Sequence, residues 1–172
     1  MKKKNISLVG FMGTGKSAIG RNVAMELGYE FIDTDQYIER RVGTSIAGYF
    51  SQVGEEKFRL LERDCLKEIL KLEGVVISTG GGIILLEENR RLLKENTFVV
   101  TLKALPKTIY YRTKRNNKRP LLRTQKPLKV INELLKQRRG LYDFGDIILY
   151  TDKEPIIELA KKVVAQYKVH NQ

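Results

Sequence analysis

Residues 10–17 read Gly-Phe-Met-Gly-Thr-Gly-Lys-Ser, a glycine-rich stretch that ends in Lys-Ser. It follows the spacing G-x-x-x-x-G-K-[ST], in which successive backbone N–H groups turn inward around phosphate oxygens. An apolar run at residues 6–9 predicts a strand before it, and helically spaced apolar residues predict a helix over residues 16–27. A P-loop requires this strand–loop–helix order, so we predict a nucleotide-phosphate site.

The alternative is a glycine-rich turn that binds nothing. At ordinary composition, four specified positions match by chance in about one chain per hundred of this length. The glycines allow the backbone to approach phosphate oxygens closely, and the N-terminus of the following helix attracts anions. In this motif Lys16 reaches the β- and γ-phosphates and the Ser17 hydroxyl coordinates Mg²⁺.

Length and composition indicate one globular domain. The chain has 172 residues, of which 42% are apolar and 30% are charged. Its apolar runs are shorter than the roughly 20 residues that a membrane span needs. The opening Met-Lys-Lys-Lys precedes too short an apolar run for a signal peptide. We therefore expect a cytoplasmic protein with no membrane partner.

The chain offers little for cysteine or histidine chemistry. Its single cysteine, Cys65, cannot form an internal disulfide and is expected to be a buried, inert thiol. Its single histidine, His170, lies near the C-terminus. A histidine base and a zinc site are therefore both disfavoured.

The positive charge is concentrated in one segment. Of the 32 Lys and Arg residues, 13 lie at residues 103–139 with one acid, and the rest of the chain carries 19 residues of each sign. Such a segment can be a solvated face, a nucleic-acid patch or a basic cover over ATP. Aromatic residues make up only 8% and no RNA-binding aromatic motif is present. We therefore favour the cover for part of the segment, with Lys126 and Lys129 simply solvated, and expect no nucleic-acid partner.

Strand and helix patterns alternate, which predicts an α/β domain with a parallel sheet. Strands are predicted at residues 6–9, 31–33, 75–79, 98–102 and 147–150. Helices are predicted at residues 16–27, 36–42, 46–52, 55–72, 87–95, 106–114, 128–139 and 155–167, with Pro155 in a first helical turn. Residues 113–127 show almost no periodicity, and loops of this length in compact domains are often lids.

Two carboxylates follow the second predicted strand, in the sequence Asp33-Thr34-Asp35. The carboxyl ends of strands are where open α/β sheets bind ligands. One carboxylate can hold Mg²⁺ through water while the other accepts a hydrogen bond or a proton from an attacking hydroxyl. The alternative is a helix N-cap, a position that Asp and Thr favour.

Two further features suit a small acidic substrate. Gly80-Gly81-Gly82 follows the third predicted strand, and three consecutive glycines suggest a close backbone approach to a ligand. Arg59 lies three residues before Glu62 on a predicted helix, and Arg138-Arg139 ends another. Each arginine could be an ordinary surface charge, but a kinase acting on a small acid needs planar, bidentate donors for its carboxylate.

Taken in order, these motifs resemble the shikimate kinase family over nearly the whole chain. The resemblance rests on residues 10–17, 31–35, Gly54-Glu55 before Phe58-Arg59, residues 80–82, Arg119-Pro120-Leu121-Leu122, and Arg138 before Leu141-Tyr142. It implies a nucleoside-monophosphate-kinase-like fold: a five-stranded parallel sheet flanked by helices. A substrate-binding region at residues 34–62 and a mobile lid at residues 113–127 would complete a single domain of residues 1–172.

The resemblance also implies a role for each site residue. Lys16, Asp35 and Arg119 are implied to be catalytic, with Asp35 the candidate base, and Ser17 and, through water, Asp33 would hold Mg²⁺. The implied ATP-binding residues are Gly13, Thr14, Gly15, Lys16, Ser17, Ala18, Arg112, Arg119 and Pro120, with residues 151–153 near the adenine. The implied shikimate-binding residues are Asp35, Arg59, Gly80, Gly81, Gly82 and Arg138.

The implied activity is ATP-dependent phosphorylation of the shikimate 3-hydroxyl by a monomer. Departures from the family pattern are small: Ala18 stands where threonine is common and Gly140 where proline is common. Three alternatives remain: a gluconate-kinase-like enzyme, a basic nucleic-acid-binding NTPase, and a catalytically silent nucleotide-binding regulator. The intact set Lys16, Ser17, Asp33 and Asp35 argues against the last.

Overall fold

The computed structural model describes residues 2–114 and 125–172. Strands and helices alternate along this part of the chain. The strands are β1 (Ile6–Gly10), β2 (Glu30–Asp33), β3 (Val75–Ser78), β4 (Phe98–Lys103) and β5 (Ile147–Tyr150). The helices are α1 (Lys16–Leu27), α2 (Thr34–Val42), α3 (Ile46–Ile69), α4 (Glu87–Asn96), α5 (Pro106–Thr113), α6 (Pro127–Gln137) and α7 (Ile156–His170), with a 3₁₀ turn at Ile83–Leu85.

The five strands form one parallel sheet in the order β2-β3-β1-β4-β5. The predicted fold class is therefore confirmed. Ser78 of β3 is in register with Leu8 of β1 on one side and with Asp33 of β2 on the other. The P-loop, Asp33 and the glycine triplet consequently all follow the carboxyl edge of the sheet, where this architecture binds ligands.

Alternate residues of β1 build two cores. Ile6 and Leu8 are buried in a cluster with Val23 of α1 and Val163 of α7. Val9 is buried in a second cluster that includes Leu66 of α3. Because both faces of the sheet are covered, β1 is buried along its whole length. Each such aliphatic side chain contributes about 1.5–3 kcal/mol by leaving water.

Helix boundaries differ from the predicted ones at a few places. The helices predicted at residues 46–52 and 55–72 are joined in α3, with non-helical Gly54 (φ 79°, ψ 173°) marking a kink between them. Helix α2 begins earlier than predicted, at Thr34, because Asp33 caps it. Pro155 is the cap before α7 rather than a residue of its first turn. Helix α6 ends at Gln137, so Arg138 is its C-cap.

Cys65 is fully buried, as expected. Burial is also the main cause that raises the pKa of its thiol, while the nearby Arg41 guanidinium opposes the rise.

Across residues 2–114 and 125–172, no helix has the length and apolar character needed to cross a membrane.

Candidate active site

The P-loop is held in shape by glycines and by one buried threonine. Gly13 (φ 76°) and Gly15 (φ 97°) have left-handed backbone conformations, and Gly15 is the N-cap of α1. A Cβ on Gly13 would also lie 2.8 Å from Thr113 Cγ2, so this position has neither the backbone angle nor the space for a side chain. Thr14 Oγ1 donates to the Phe11 carbonyl at 2.7 Å. The loop therefore enters α1 in a fixed conformation.

Lys16 folds over the loop that precedes it. Its Nζ donates to the Gly10 carbonyl at 2.8 Å and to the Phe11 carbonyl at 3.0 Å. The residue is only 9% exposed. An ammonium group is thus held inside the loop, where it can exchange carbonyl oxygens for phosphate oxygens.

Three side-chain oxygens meet at the start of α1. Ser17 Oγ donates to Asp33 Oδ2 at 2.9 Å and lies 3.1 Å from Ser78 Oγ. The other oxygen of Asp33 accepts from the backbone N–H groups of Asp35 (3.1 Å) and Gln36 (3.4 Å). Asp33 therefore is an N-cap, as the alternative interpretation held, and the same carboxylate also faces Ser17.

These donors suit a magnesium ion. Mg²⁺ prefers oxygen ligands and is commonly held by one or two carboxylates together with phosphates and water. Ser17 and Asp33 supply a hydroxyl and a carboxylate at the phosphate loop. In the described residues, no three His, Cys, Asp or Glu side chains are grouped as for a metal ion. The hydroxyl and the carboxylate beside the phosphate loop fit Mg²⁺, which can take substrate phosphates as further ligands.

Asp35 lies against the glycine triplet. A Cβ on Gly80 would be 2.6 Å from Asp35 Oδ1 and 3.1 Å from Glu62 Oε1, so only glycine leaves room for both carboxylates. The Gly80 N–H donates to Thr34 Oγ1 at 2.8 Å. Because the Gly80 amide already donates to Thr34, the amides of Gly81 and Gly82 are the candidate donors to a ligand.

Arg59 lies against the other end of the triplet. A Cβ on Gly82 would be 2.6 Å from both Nη1 and Nη2 of Arg59. Nη1 donates to Glu62 Oε2 at 2.8 Å and Nη2 contacts Glu55 Oε1 at 3.4 Å. The Arg59 Nε is buried and has no hydrogen-bond partner within the described part of the chain. The three glycines were expected to leave room for a ligand. Part of that room is taken by the side chains of Asp35, Glu62 and Arg59.

Glu62 is a buried acid inside this group. Burial raises its pKa from 4.5 to about 7, although the neighbouring Arg59 guanidinium favours the ionised form. The nearby Asp35 carboxylate raises the pKa further, and Arg138 lowers it. Because desolvation of a charge is costly, the pair is stabilised only while both partners remain in place.

Arg138 approaches the triplet from the loop after α6. Its Nη1 donates to the Gly81 carbonyl at 3.2 Å, and its guanidinium carbon lies 5.5 Å from the centre of the Phe11 ring. Tyr142 Oη donates to the same Gly81 carbonyl at 2.8 Å. Arg59 and Arg138, which are far apart in sequence, therefore contact adjacent residues of one loop.

Arg112 lies on the other side of the P-loop. Its Nη1 contacts the Gly13 carbonyl at 3.3 Å and Thr151 Oγ1 at 2.9 Å, and its Nη2 donates to the Thr151 carbonyl. Arg112 thus links the P-loop to the loop after β5. Arg119, Pro120 and most of the predicted lid at residues 113–127 lie outside the described residues.

A cleft of about 190 Å³ joins most of these groups. Its lining residues are Gly13, Gly15, Lys16, Ser17, Ala18, Asp33, Asp35, Ser78, Thr79 and Gly81. Arg59, Arg112 and Arg138 do not line this cleft and lie at its borders. The structure therefore brings the P-loop and the two aspartates into one space and places the arginines around it.

Sequence reasoning missed several polar residues of the site, among them Ser78 and Thr34. Ser78, which contacts Ser17, ends an otherwise apolar strand, and this change of polarity was the available signal. Thr34, which holds the Gly80 N–H, is buried between two aspartates. Its role depends on the pairing of β2 with β3, which no local pattern specifies.

Comparison with known proteins places this site in a family. The model of the shikimate kinase family matches residues 12–168. The chain belongs to the shikimate kinase family. Relatives named shikimate kinase include one from Thermodesulfovibrio yellowstonii, 40% identical over 165 residues (96% of this chain, 95% of the relative). Another, from Deinococcus radiodurans, is 45% identical over 159 residues (92% of this chain, 81% of the relative).

Solved structures agree with this family. Shikimate kinase from Acinetobacter baumannii in complex with shikimate is 37% identical, with a TM-score of 0.92 over 97% of this chain and 94% of that one. A gluconokinase from Sinorhizobium meliloti is 17% identical, with a TM-score of 0.64 over 99% of this chain and 94% of that one. The second likeness is one of fold alone.

Proposed function

We propose that this protein transfers the γ-phosphoryl group of ATP to the 3-hydroxyl of shikimate, giving shikimate 3-phosphate and ADP. The observation that carries the proposal is the placement of Asp35, Arg59 and Arg138 around residues 80–82, directly beside the P-loop. A carboxylate and two guanidinium groups at one loop suit an acceptor that carries both hydroxyls and an acid group. Membership of the shikimate kinase family supports this acceptor.

The donor side would use the P-loop and the basic residues around it. The amides of residues 13–18 and Lys16 would bind the phosphates, and Arg112 would lie on the nucleotide side next to Thr151. Ser17 and Asp33 would hold Mg²⁺, which neutralises phosphate charge when bound. Arg119 and Pro120 are assigned to this side from the family resemblance alone.

The acceptor side would use charge-assisted hydrogen bonds. Arg59 and Arg138 would bind the shikimate carboxylate, and the amides of Gly81 and Gly82 would add donors to it. The orphan Nε of Arg59 supports this assignment, because a buried guanidinium N–H without a partner is costly until a ligand accepts from it. The acceptor would thereby be fixed through its acid group, away from the reacting hydroxyl.

Asp35 would receive the 3-hydroxyl. Its carboxylate borders the cleft next to Lys16 and Ser17, so a hydroxyl hydrogen-bonded to it would face the phosphate loop. Phosphoryl transfer mainly requires positioning and charge neutralisation, with proton removal from the hydroxyl as the remaining step. We assign that proton to Asp35 and place the lid at residues 113–127, where closure would exclude water and suppress ATP hydrolysis.

The decisive assay is ADP release by the purified protein with ATP and Mg²⁺ and with shikimate, quinate or gluconate. We expect shikimate-dependent ADP release, loss of turnover with EDTA, and little activity with the other two acceptors. Preference for gluconate would favour the gluconate-kinase-like alternative. Turnover that is independent of shikimate and stimulated by RNA would overturn the proposal.

Two smaller proposals accompany this function. We propose a catalytically competent monomer, which sedimentation during turnover would test. Because ATP is the phosphoryl donor, we propose that the protein works in the cytoplasm, which cell fractionation would test.

A further inference from the structure

The Gly81 carbonyl is held by two side chains from one short segment. Tyr142 Oη donates to it at 2.8 Å and Arg138 Nη1 donates to it at 3.2 Å. The two donors also contact each other, with Arg138 Nη1 lying 3.5 Å from Tyr142 Oη. Tyr142 thus contacts both Gly81 and Arg138, which is one of the two arginines beside the glycine triplet.

Fixing this carbonyl also fixes the next amide. A trans peptide unit is planar, so the Gly81 carbonyl and the Gly82 N–H point in opposite directions. Glycines restrict their own backbone dihedral angles very little, and residues 80–82 are all glycine. The direction of the Gly82 N–H therefore depends on what holds the Gly81 carbonyl.

Tyr142 is itself rigidly placed. The residue is only 8% exposed and belongs to the core cluster that contains Phe11, and its backbone carbonyl accepts from Thr101 Oγ1 of β4 at 2.7 Å. Burial raises the pKa of the phenol, although Arg138 opposes this, so the hydroxyl keeps the proton that it donates. The sheet thereby sets the position of the hydroxyl, and the hydroxyl sets the position of the loop.

We propose that Tyr142 is a positioning residue of the acceptor site, orienting the Gly82 N–H and the Arg138 guanidinium toward the acid group of the acceptor. The inference rests on the proposed function, in which these groups bind the shikimate carboxylate. Tyr142 does not line the cleft at the P-loop, where the phosphates and the reacting hydroxyl would lie. Its loss should consequently weaken acceptor binding without altering the donor side.

The test compares Tyr142→Phe with Tyr167→Phe. Tyr167 is a matched control, because it is also buried and its hydroxyl also donates to a backbone carbonyl, that of Lys3, at 2.8 Å, but outside the site. Steady-state kinetics would be measured with shikimate and with its methyl ester, together with the Tm of each protein. The ester keeps the hydroxyls and removes the negative charge.

In Tyr142→Phe we expect the KM for shikimate to rise about tenfold, on the order of one lost hydrogen bond to a positioned group. The KM for ATP should stay within about twofold of the wild-type value, since the P-loop contacts are untouched. The rise in KM should be much smaller with the methyl ester. Tyr167→Phe should lower the Tm and leave the KM for shikimate unchanged.

Three results would overturn the inference. An unchanged KM for shikimate in an active Tyr142→Phe variant would exclude the positioning role and leave the proposed function intact. A lower Tm with equal increases in the KM for ATP, shikimate and the ester would show a purely structural residue. Wild-type protein that neither binds nor phosphorylates shikimate would overturn the proposed function and this inference together.

Discussion

Glu62 and Arg59 form an ion pair in which the acid is the more deeply buried partner. Arg59 Nη1 lies 2.8 Å from Glu62 Oε2, and the side chains are 15% and 2% exposed, respectively. Since burial raises the pKa of Glu62 from 4.5 to about 7, the pair carries a desolvation cost that the guanidinium only partly offsets. The carboxylate nevertheless fixes the arginine beside Gly82.

This pair predicts an unusual pH dependence of stability. Between about pH 4.5 and 7 the folded protein holds a proton on Glu62 that the unfolded chain has lost. The contribution of Glu62 to the free energy of unfolding should therefore fall as the pH rises through this window, by a few kcal/mol. Urea unfolding of the wild type and of Glu62→Gln from pH 5 to 8 measures the difference. A constant difference across that range would contradict the prediction.

Alanine substitutions in the glycine triplet should separate acceptor binding, which KM reports, from phosphoryl transfer, which kcat reports. Gly82→Ala places a methyl group against the Arg59 guanidinium, and Gly80→Ala places one against Asp35 Oδ1. Displacing one charge-assisted contact should raise the KM for shikimate roughly tenfold to a hundredfold in Gly82→Ala, whereas Gly80→Ala should mainly lower kcat. Both effects are measurable by steady-state kinetics.

Gly81→Ala is the matched control for the triplet. A Cβ on Gly81 would lie 3.4 Å from the Met12 nitrogen, an ordinary van der Waals distance. This variant should keep the wild-type Tm and more activity than either neighbour. Equal losses in all three variants would show that the loop tolerates no side chain, whatever Arg59 and Asp35 do.

Arg119→Ala should lower kcat far more than it raises the KM for shikimate. In the proposed mechanism Arg119 acts on the transferring phosphate, and removing one such stabilising donor costs about 10²- to 10³-fold in kcat. Arg115→Ala, in the same basic segment, is the control and should keep most of the activity. A normal kcat in Arg119→Ala would remove this residue from the mechanism.

Asp35→Asn should lower kcat by about 10²- to 10⁴-fold, the usual contribution of a general base. The amide keeps the size of the side chain and can still accept a hydrogen bond, but it cannot take the proton. The kcat profile across pH should therefore lose its acidic limb. A small loss with an unchanged pH profile would instead indicate that Asp35 only orients the hydroxyl.

Asp146 predicts a stability effect at acidic pH, away from the site. Burial disfavours the charge of Asp146, but hydrogen bonds from the Val99 N–H, Lys3 and Lys94 outweigh this and lower its pKa. Asp146→Asn should cost about 1–3 kcal/mol at pH 7. Because the folded pKa is depressed, the stabilisation is present above the ordinary value of 3.8 and lost as the pH falls through the folded pKa.

Chemical denaturation from pH 7 down to pH 3 measures this effect. The difference between wild type and Asp146→Asn should shrink below about pH 4, where the unfolded chain begins to take up protons. Asp143→Asn is the control, since the Asp143–Lys103 pair is largely exposed and such pairs contribute little. If Asp143→Asn lowered the free energy of unfolding by as much as Asp146→Asn, the effect would come from net charge and not from the buried hydrogen bonds.

Local patterns predicted most of the elements, because periodicity and glycine spacing act over a few neighbouring residues. The limits of α1 and β5 match their predicted residues, and the parallel sheet follows from the alternation of strands and helices. The boundaries that differ depend on capping or on a single backbone conformation. Asp33 extends α2 backwards through its side-chain cap, and Gly54 kinks α3 through its backbone angles.

Short motifs of fixed spacing were enough to predict the phosphate loop and the resemblance to the shikimate kinase family. How the acceptor side is built depends instead on strand order and helix packing, because these bring together residues that are far apart in the chain. Arg59, Glu62 and Arg138 meet at residues 80–82 for this reason. The reason for glycine at positions 80 and 82 is likewise tertiary: two carboxylates and a guanidinium group occupy the space that side chains would fill.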